Sequence, residues 1–241
     1  MKSMLEIVRD KAVRLWDKTG LMEEHVCVNA GPLTVQQAIG EPGMGDLPIQ
    51  KGKEKLMEAT FRGFRGQAFT DHYGDFSGSL GEIAVLPLVT NFNRAIFVAS
   101  LNAVMNALGK TWGTIHCKDC GPRDCAQAMP GFIRQTYGAV RVVIIGFQPA
   151  MAESLSREMA VRLLDLDPEN IGQIKRGVLV EGPESAADVL HWAELLVVTG
   201  STLANDSIDH FLIDKPVLFY GTTIAGAANL MRWDRFCPQS R

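Results

Sequence analysis

The chain has 241 residues, of which 46% are hydrophobic, 21% charged and 7% aromatic. That composition excludes disordered, collagen-like and coiled-coil chains, and the length suits one large domain or two small ones with a sizeable core. Lys and Arg number 24 against 27 Asp and Glu, a net charge of −3, so no strongly basic face is expected to attract nucleic acid.

Residues 1–10 are charged throughout and lack the apolar core of a signal peptide. Apolar stretches such as residues 95–101 are too short to span a bilayer. The expected setting is cytoplasmic, without a membrane partner. Five cysteines, three of them within residues 117–125, do not form the pattern of a secreted disulfide framework.

Met4, Leu5, Val8, Ala12, Leu15 and Trp16 recur at helical spacing, and Gly20 ends that helix. Residues 26–29 and 34–39 predict a hairpin around Gly31-Pro32, and residues 40–48 a loop. A helix over 53–61, a strand over 64–70 and helices over 80–86 and 93–108 follow, an α+β pattern.

The second half alternates. Strands are predicted at 140–145, 177–180, 195–199 and 217–220, and helices at 153–164, 186–193, 203–212 and 225–231. Fully apolar strands in that rhythm predict a parallel sheet covered on both faces. The expected division is 1–112 and 113–241, with 116–137 as a cysteine-bearing connector.

Three strand ends share one design. They run into Gly146-Phe147-Gln148-Pro149, Thr199-Gly200-Ser201-Thr202 and Gly221-Thr222-Thr223. On an open parallel sheet these turns lie at the carboxyl edge, where ligands bind. Glycine admits close approach, and Ser or Thr caps a helix or meets a polar group. Helix capping alone explains any single turn equally well. NAD is disfavoured, because only Gly146 of the dinucleotide fingerprint is present. Gly109-Lys110-Thr111 imitates a phosphate loop, but Val104 holds the place of its first glycine and a helix precedes it.

His116, Cys117, Cys120 and Cys125 form a candidate set for a soft or borderline transition-metal ion. Reactive thiols beside Lys118 and Arg123, or no special chemistry, are the alternatives. Asp71 and His72 sit in a glycine-bearing loop suited to proton transfer or to plain turn capping. Asn102 and Asn106, four apart, share a helix face directed either at a cleft or at solvent.

In this order the motifs resemble the putative heavy-metal-chelation family, a largely uncharacterised group that joins an enolase N-terminal-like domain to a Rossmann-like domain. The resemblance rests on Gly66-Gln67-Ala68-Phe69-Thr70-Asp71, Phe76-Ser77-Gly78, Ala99-Ser100-Leu101-Asn102-Ala103, His116-Cys117-Lys118-Asp119 and Cys125-Ala126. In the second half it rests on Ile145-Gly146-Phe147-Gln148-Pro149-Ala150, Thr199-Gly200-Ser201-Thr202-Leu203-Ala204-Asn205 and Gly221-Thr222-Thr223-Ile224-Ala225-Gly226. It implies an α/β fold, a ligand or metal site between the two parts, and a homodimer. The expected ligand-binding residues are Asp71, Asn102, Gly146, Gln148, Gly200, Ser201, Thr202, Asn205, Gly221, Thr222 and Thr223. Cys120 and Glu194 depart from the pattern expected of relatives.

Two functions follow as expectations. One is a protein that binds a small molecule or a metal ion in the cleft. The other is an enzyme acting on an anionic or nucleotide-like molecule, although no nucleophile–base pair assigns catalytic residues. A scaffold without a ligand is the third.

Overall fold

The computed structural model describes residues 2–29, 36, 40–41 and 54–241. The expected strand at 34–39 lies outside the described residues except for Gln36, which is helical rather than extended, and so does most of the loop at 40–48. Helix α1 (Met4–Lys18) starts where Ser3 and Glu6 cap each other's backbone, and it buries Leu5, Val8, Ala12 and Trp16.

Strands β1 (His25–Asn29), β2 (Lys55–Phe61), β3 (Phe64–Thr70) and β4 (Phe76–Ser79) form an antiparallel sheet in the order β3-β2-β1-β4. The helix expected over 53–61 is therefore β2. Arg62 and Gly63 both take positive φ, 50° and 81°, the two-residue hairpin turn that matches strand twist. That turn sets Phe61 opposite Phe64 and forces the segment to extend.

Helix α2 (Leu80–Ala84) precedes α3 (Asn91–Ala107). Every residue from Ala95 to Met105 is buried, because α3 lies against β2 and β3 on one side and a C-terminal helix on the other.

Helix α4 (Gly121–Tyr137) replaces most of the expected connector. Pro122 opens it, and Cys125, Ala126, Met129 and Ile133 make its buried stripe. Then come β5 (Val142–Ile145), α5 (Pro149–Ser156), β6 (Val161–Leu164), β7 (Ile174–Lys175) and β8 (Val178–Glu181). The single helix expected over 153–164 is thus the end of α5 plus a strand. Pairing of β6 with β5, Val161 opposite Val142, draws those residues into the sheet.

Helix α6 (Ala186–Trp192), β9 (Leu195–Thr199), α7 (Ser201–Ala204), β10 (Val217–Tyr220), α8 (Ala225–Met231) and β11 (Asp234–Phe236) complete the chain. The helix expected over 203–212 is replaced by α7 and a 3-10 turn at Ile208–His210. Asn205 Oδ1 accepts from Ser207 N, and Asp206 takes φ 63°, so the helix cannot continue.

The second sheet runs β11-β10-β9-β5-β6-β8-β7, parallel except for the β7–β8 hairpin. From β5 the chain moves outward through β6, and from β9 it moves outward the other way through β10. A crevice therefore opens between the carboxyl ends of β5 and β9. One buried cluster joins Trp16, Phe97 and Leu101 to Val198, Phe219 and Ile224, running through both sheets. A second, with Met129, Ile133, Met151 and Leu155, covers the other face. Among the described residues, no helix is long and apolar enough to cross a membrane.

Candidate functional site

A cavity of about 740 Å³ opens at the carboxyl edge of the parallel sheet, where β3 and the residue before β2 face it. Its lining joins Phe69 and Glu54 to all three strand-end turns and to the start of α4. Of the expected ligand set, Gly146, Gln148, Gly200, Ser201, Thr202, Asn205, Gly221 and Thr223 line it.

Asp71, Asn102 and Thr222 do not. Asp71 is exposed, with its carboxylate on Asn91 Nδ2 and His72. Thr222 is fully buried. Asn102 is consumed by packing: its Nδ2 donates to the carbonyls of Gln67, Thr222 and Thr223 at 2.8, 3.1 and 3.1 Å, and its Oδ1 accepts from Gly226 N at 2.7 Å. It fastens α3 and β3 to the turn after β10 rather than facing a ligand.

The turn after β5 begins at Gly146, whose φ of 90° suits glycine alone. Tyr220 donates its hydroxyl to the Gly146 carbonyl at 3.0 Å, and burial pushes that phenol well above its ordinary range. Gln148 accepts from Met151 N at 2.5 Å through its own side chain, capping α5. In the second turn, Thr202 donates to the Thr199 carbonyl at 2.7 Å, while Ser201 makes only long contacts of 3.4 Å with Thr199. Thr223 accepts from Phe69 N at 3.1 Å, tying the third turn to β3.

Thiols make a second wall. Cys117 and Cys125 are buried, and β11 delivers Cys237 beside them. A hydrogen bond with Cys117, together with burial, pushes Cys125 up to about 11; a hydrogen bond with Cys125 and burial likewise raise Cys237. Cys125 and Cys237 are therefore protonated thiols, not preformed thiolates.

His116 faces the cavity while protein encloses it, and burial drives its imidazole down to about 4. Its Nδ1 is 2.6 Å from the Cys117 carbonyl, and its ring meets Phe69 edge-on at 5.3 Å. Cys120 is exposed and lines no part of the cavity. Among the described residues, no group of three or more His, Cys, Asp or Glu is placed to hold a metal ion. Cys120 thus stands apart from His116, Cys117 and Cys125, and the expected set of four is not among such groups in the described residues.

The third wall is acidic and was absent from the sequence reading. Asp165 follows β6 directly, and its carboxylate accepts from Phe147 N and Asp167 N, both at 2.6 Å. Asp167 and Glu54 stand with it on the lining. Burial, then the Asp165 and Asp71 carboxylates, raise Glu54 to about 7. Among the described residues, no Lys or Arg lines the cavity. The nearby cations are committed elsewhere: Lys175 to Asn170 and the Phe147 face, Arg235 to the carbonyls of Trp112, Gly113 and Gly221. The signal for Asp165 was its place nineteen positions after Gly146, hidden once 153–164 was read as one helix.

Fold and cavity define an α/β protein in which an antiparallel sheet and its helix back a mostly parallel sheet with a site at the carboxyl edge. Residues 132–216 match the DUF364 family model, described as "Putative heavy-metal chelation", in keeping with the resemblance seen in the motifs. No curated protein matches the chain. A DUF364 protein of unknown function from Pyrococcus horikoshii shares the fold at 15% identity and a TM-score of 0.56, covering 91% of this chain and 79% of that one. Another from Desulfitobacterium hafniense, also of unknown function, does so at 12% identity and a TM-score of 0.50, covering 73% and 72%.

Proposed function

We propose that this protein binds a small organic molecule in the carboxyl-edge cavity, and that any heavy metal travels as part of that ligand rather than in a preformed protein centre. The observation that carries this reading is one apolar hollow of about 740 Å³ with a few convergent polar groups and, among the described residues, no assembled group of metal ligands. Its size and lining are those of a site for a drug-sized molecule. Protonated thiols can accept a thiophilic ion that arrives already chelated, at the cost of releasing their protons. A buried carboxyl such as Glu54, poised near neutrality, is also suited to proton exchange with a bound molecule. The Asp165 and Glu54 carboxyls, with no Lys or Arg lining the cavity among the described residues, favour a neutral or cationic ligand over an anionic one.

Native mass spectrometry with elemental analysis of the purified protein tests this. A small-molecule adduct is expected, lost in Ala186→Trp, which fills the cavity, with any metal lost alongside it. Metal kept without an organic adduct, and removed by Cys117→Ser alone, overturns the reading.

A further inference from the structure

Resting on the cavity as a small-molecule site, we infer that its ligand class is a nucleoside: a ribose held by Asp165, with a flat base beyond it and no phosphate at the 5′ position. The strand order places β6 beside β5, and the residue closing that second strand is the position from which doubly wound sheets grip ribose hydroxyls. Here that residue is Asp165.

Two backbone donors, Phe147 N and Asp167 N, fix its carboxylate and occupy one site on each oxygen. A carboxylate offers about four acceptor sites, so a vicinal diol can donate to those remaining. Next to it, Leu166 is 65% exposed although large and apolar. With Pro183, Ala186 and Leu190 it lines the cavity beyond the ends of β6 and β8, an apolar slot where a base would lie flat.

The turn after β5 argues against a phosphate. Pro149 has no N–H, and the Met151 N–H is already taken by Gln148, so two donors a phosphate would use at this helix start are missing. Asp165 and Glu54 add negative charge, and among the described residues no Lys or Arg lines the cavity beside them. The 5′ substituent is therefore neutral or cationic.

Calorimetric titration of the whole protein with adenosine, 2′-deoxyadenosine, 5′-amino-5′-deoxyadenosine and AMP reads this directly. Adenosine and its 5′-amino analogue are expected to bind, the deoxy analogue at least tenfold more weakly, and AMP more weakly than either ribonucleoside. Asp165→Asn, which keeps the size of the side chain, should bring ribo- and deoxyribonucleoside within threefold of each other. Ala186→Trp should abolish binding of all four.

Equal ribo and deoxy affinity in the wild type, or AMP as the tightest of the four, overturns the assignment. So does no binding of any nucleoside. In that last case, a fragment mixture screened by ligand-observed NMR separates the two claims. Fragments displaced by Ala186→Trp leave the cavity reading standing without the nucleoside, whereas none displaced removes both. If Asp165→Asn unfolds, Leu166→Glu gives the second arm, with at least tenfold weaker binding expected.

Discussion

The cavity's thiol wall and its acidic rim solve opposite electrostatic problems within one hollow. Cys125 and Cys237 sit beside Cys117 among packed side chains, where burial and hydrogen bonding keep protons on the sulfurs of Cys125 and Cys237. Asp165 is oriented by two backbone N–H groups. The difference teaches that a cluster of metal-loving residue types is not a metal site until geometry and protonation agree. A single aspartate at a strand end, by contrast, is a presented acceptor because backbone donors aim it.

That contrast can be broken outright at Asn102, which holds the Thr222-Thr223 rim in place. Asn102→Leu should cost about 3 kcal/mol by orphaning buried carbonyls and the Gly226 N–H, seen as a lower urea midpoint; an unchanged midpoint refutes the clamp.

The second test sets Glu54 against His116. Glu54 has a raised folded pKa, about 7 against 4.5, so its contribution is complete below pH 4.5 and lost as pH rises to 7. His116 has a depressed one, about 4 against 6.5, so its contribution is present above 6.5 and lost as pH falls to 4. Between pH 4.5 and 6.5 the two slopes oppose each other. Relative to wild type, Glu54→Gln should gain stability with rising pH and His116→Leu should gain it with falling pH. Each change should amount to about 2 kcal/mol after allowance for water in the cavity. Urea midpoints at four pH values check the signs, and parallel curves would refute the assignment.

Thiol chemistry sharpens the comparison next. At pH 7.5, iodoacetamide should modify exposed Cys27 and Cys120 at least ~10-fold faster than Cys125, whose thiolate is scarce; peptide mass spectrometry counts the adducts. Smallest of all, Ser201→Ala should shift stability by less than about 0.5 kcal/mol, because its hydroxyl makes only a 3.4 Å contact. A larger loss in thermal unfolding would show that Ser201 braces the rim.

Local chemistry alone specified much of this molecule. Strand β10 and helix α8 were legible to the residue, β9 likewise, since apolar runs bounded by Gly or Pro leave little choice. The three glycine-bearing turns were legible as strand ends, and the parallel sheet brings them to one cavity edge. Segments 53–61 and 153–164 were misread because both patterns suit a helix until a partner strand supplies the other half of their hydrogen bonds.

What the sequence determined by itself was the α/β rhythm, the turns and the identity of reactive side chains, all set by near-neighbour sterics and hydrophobic pattern. Only the tertiary structure decided that Asn102 is a clamp, that Cys237 rather than Cys120 joins the thiol wall, and that Asp165 faces the cavity. Those outcomes depend on strand order and on which buried groups find partners, and both arise from contacts between residues far apart in the chain.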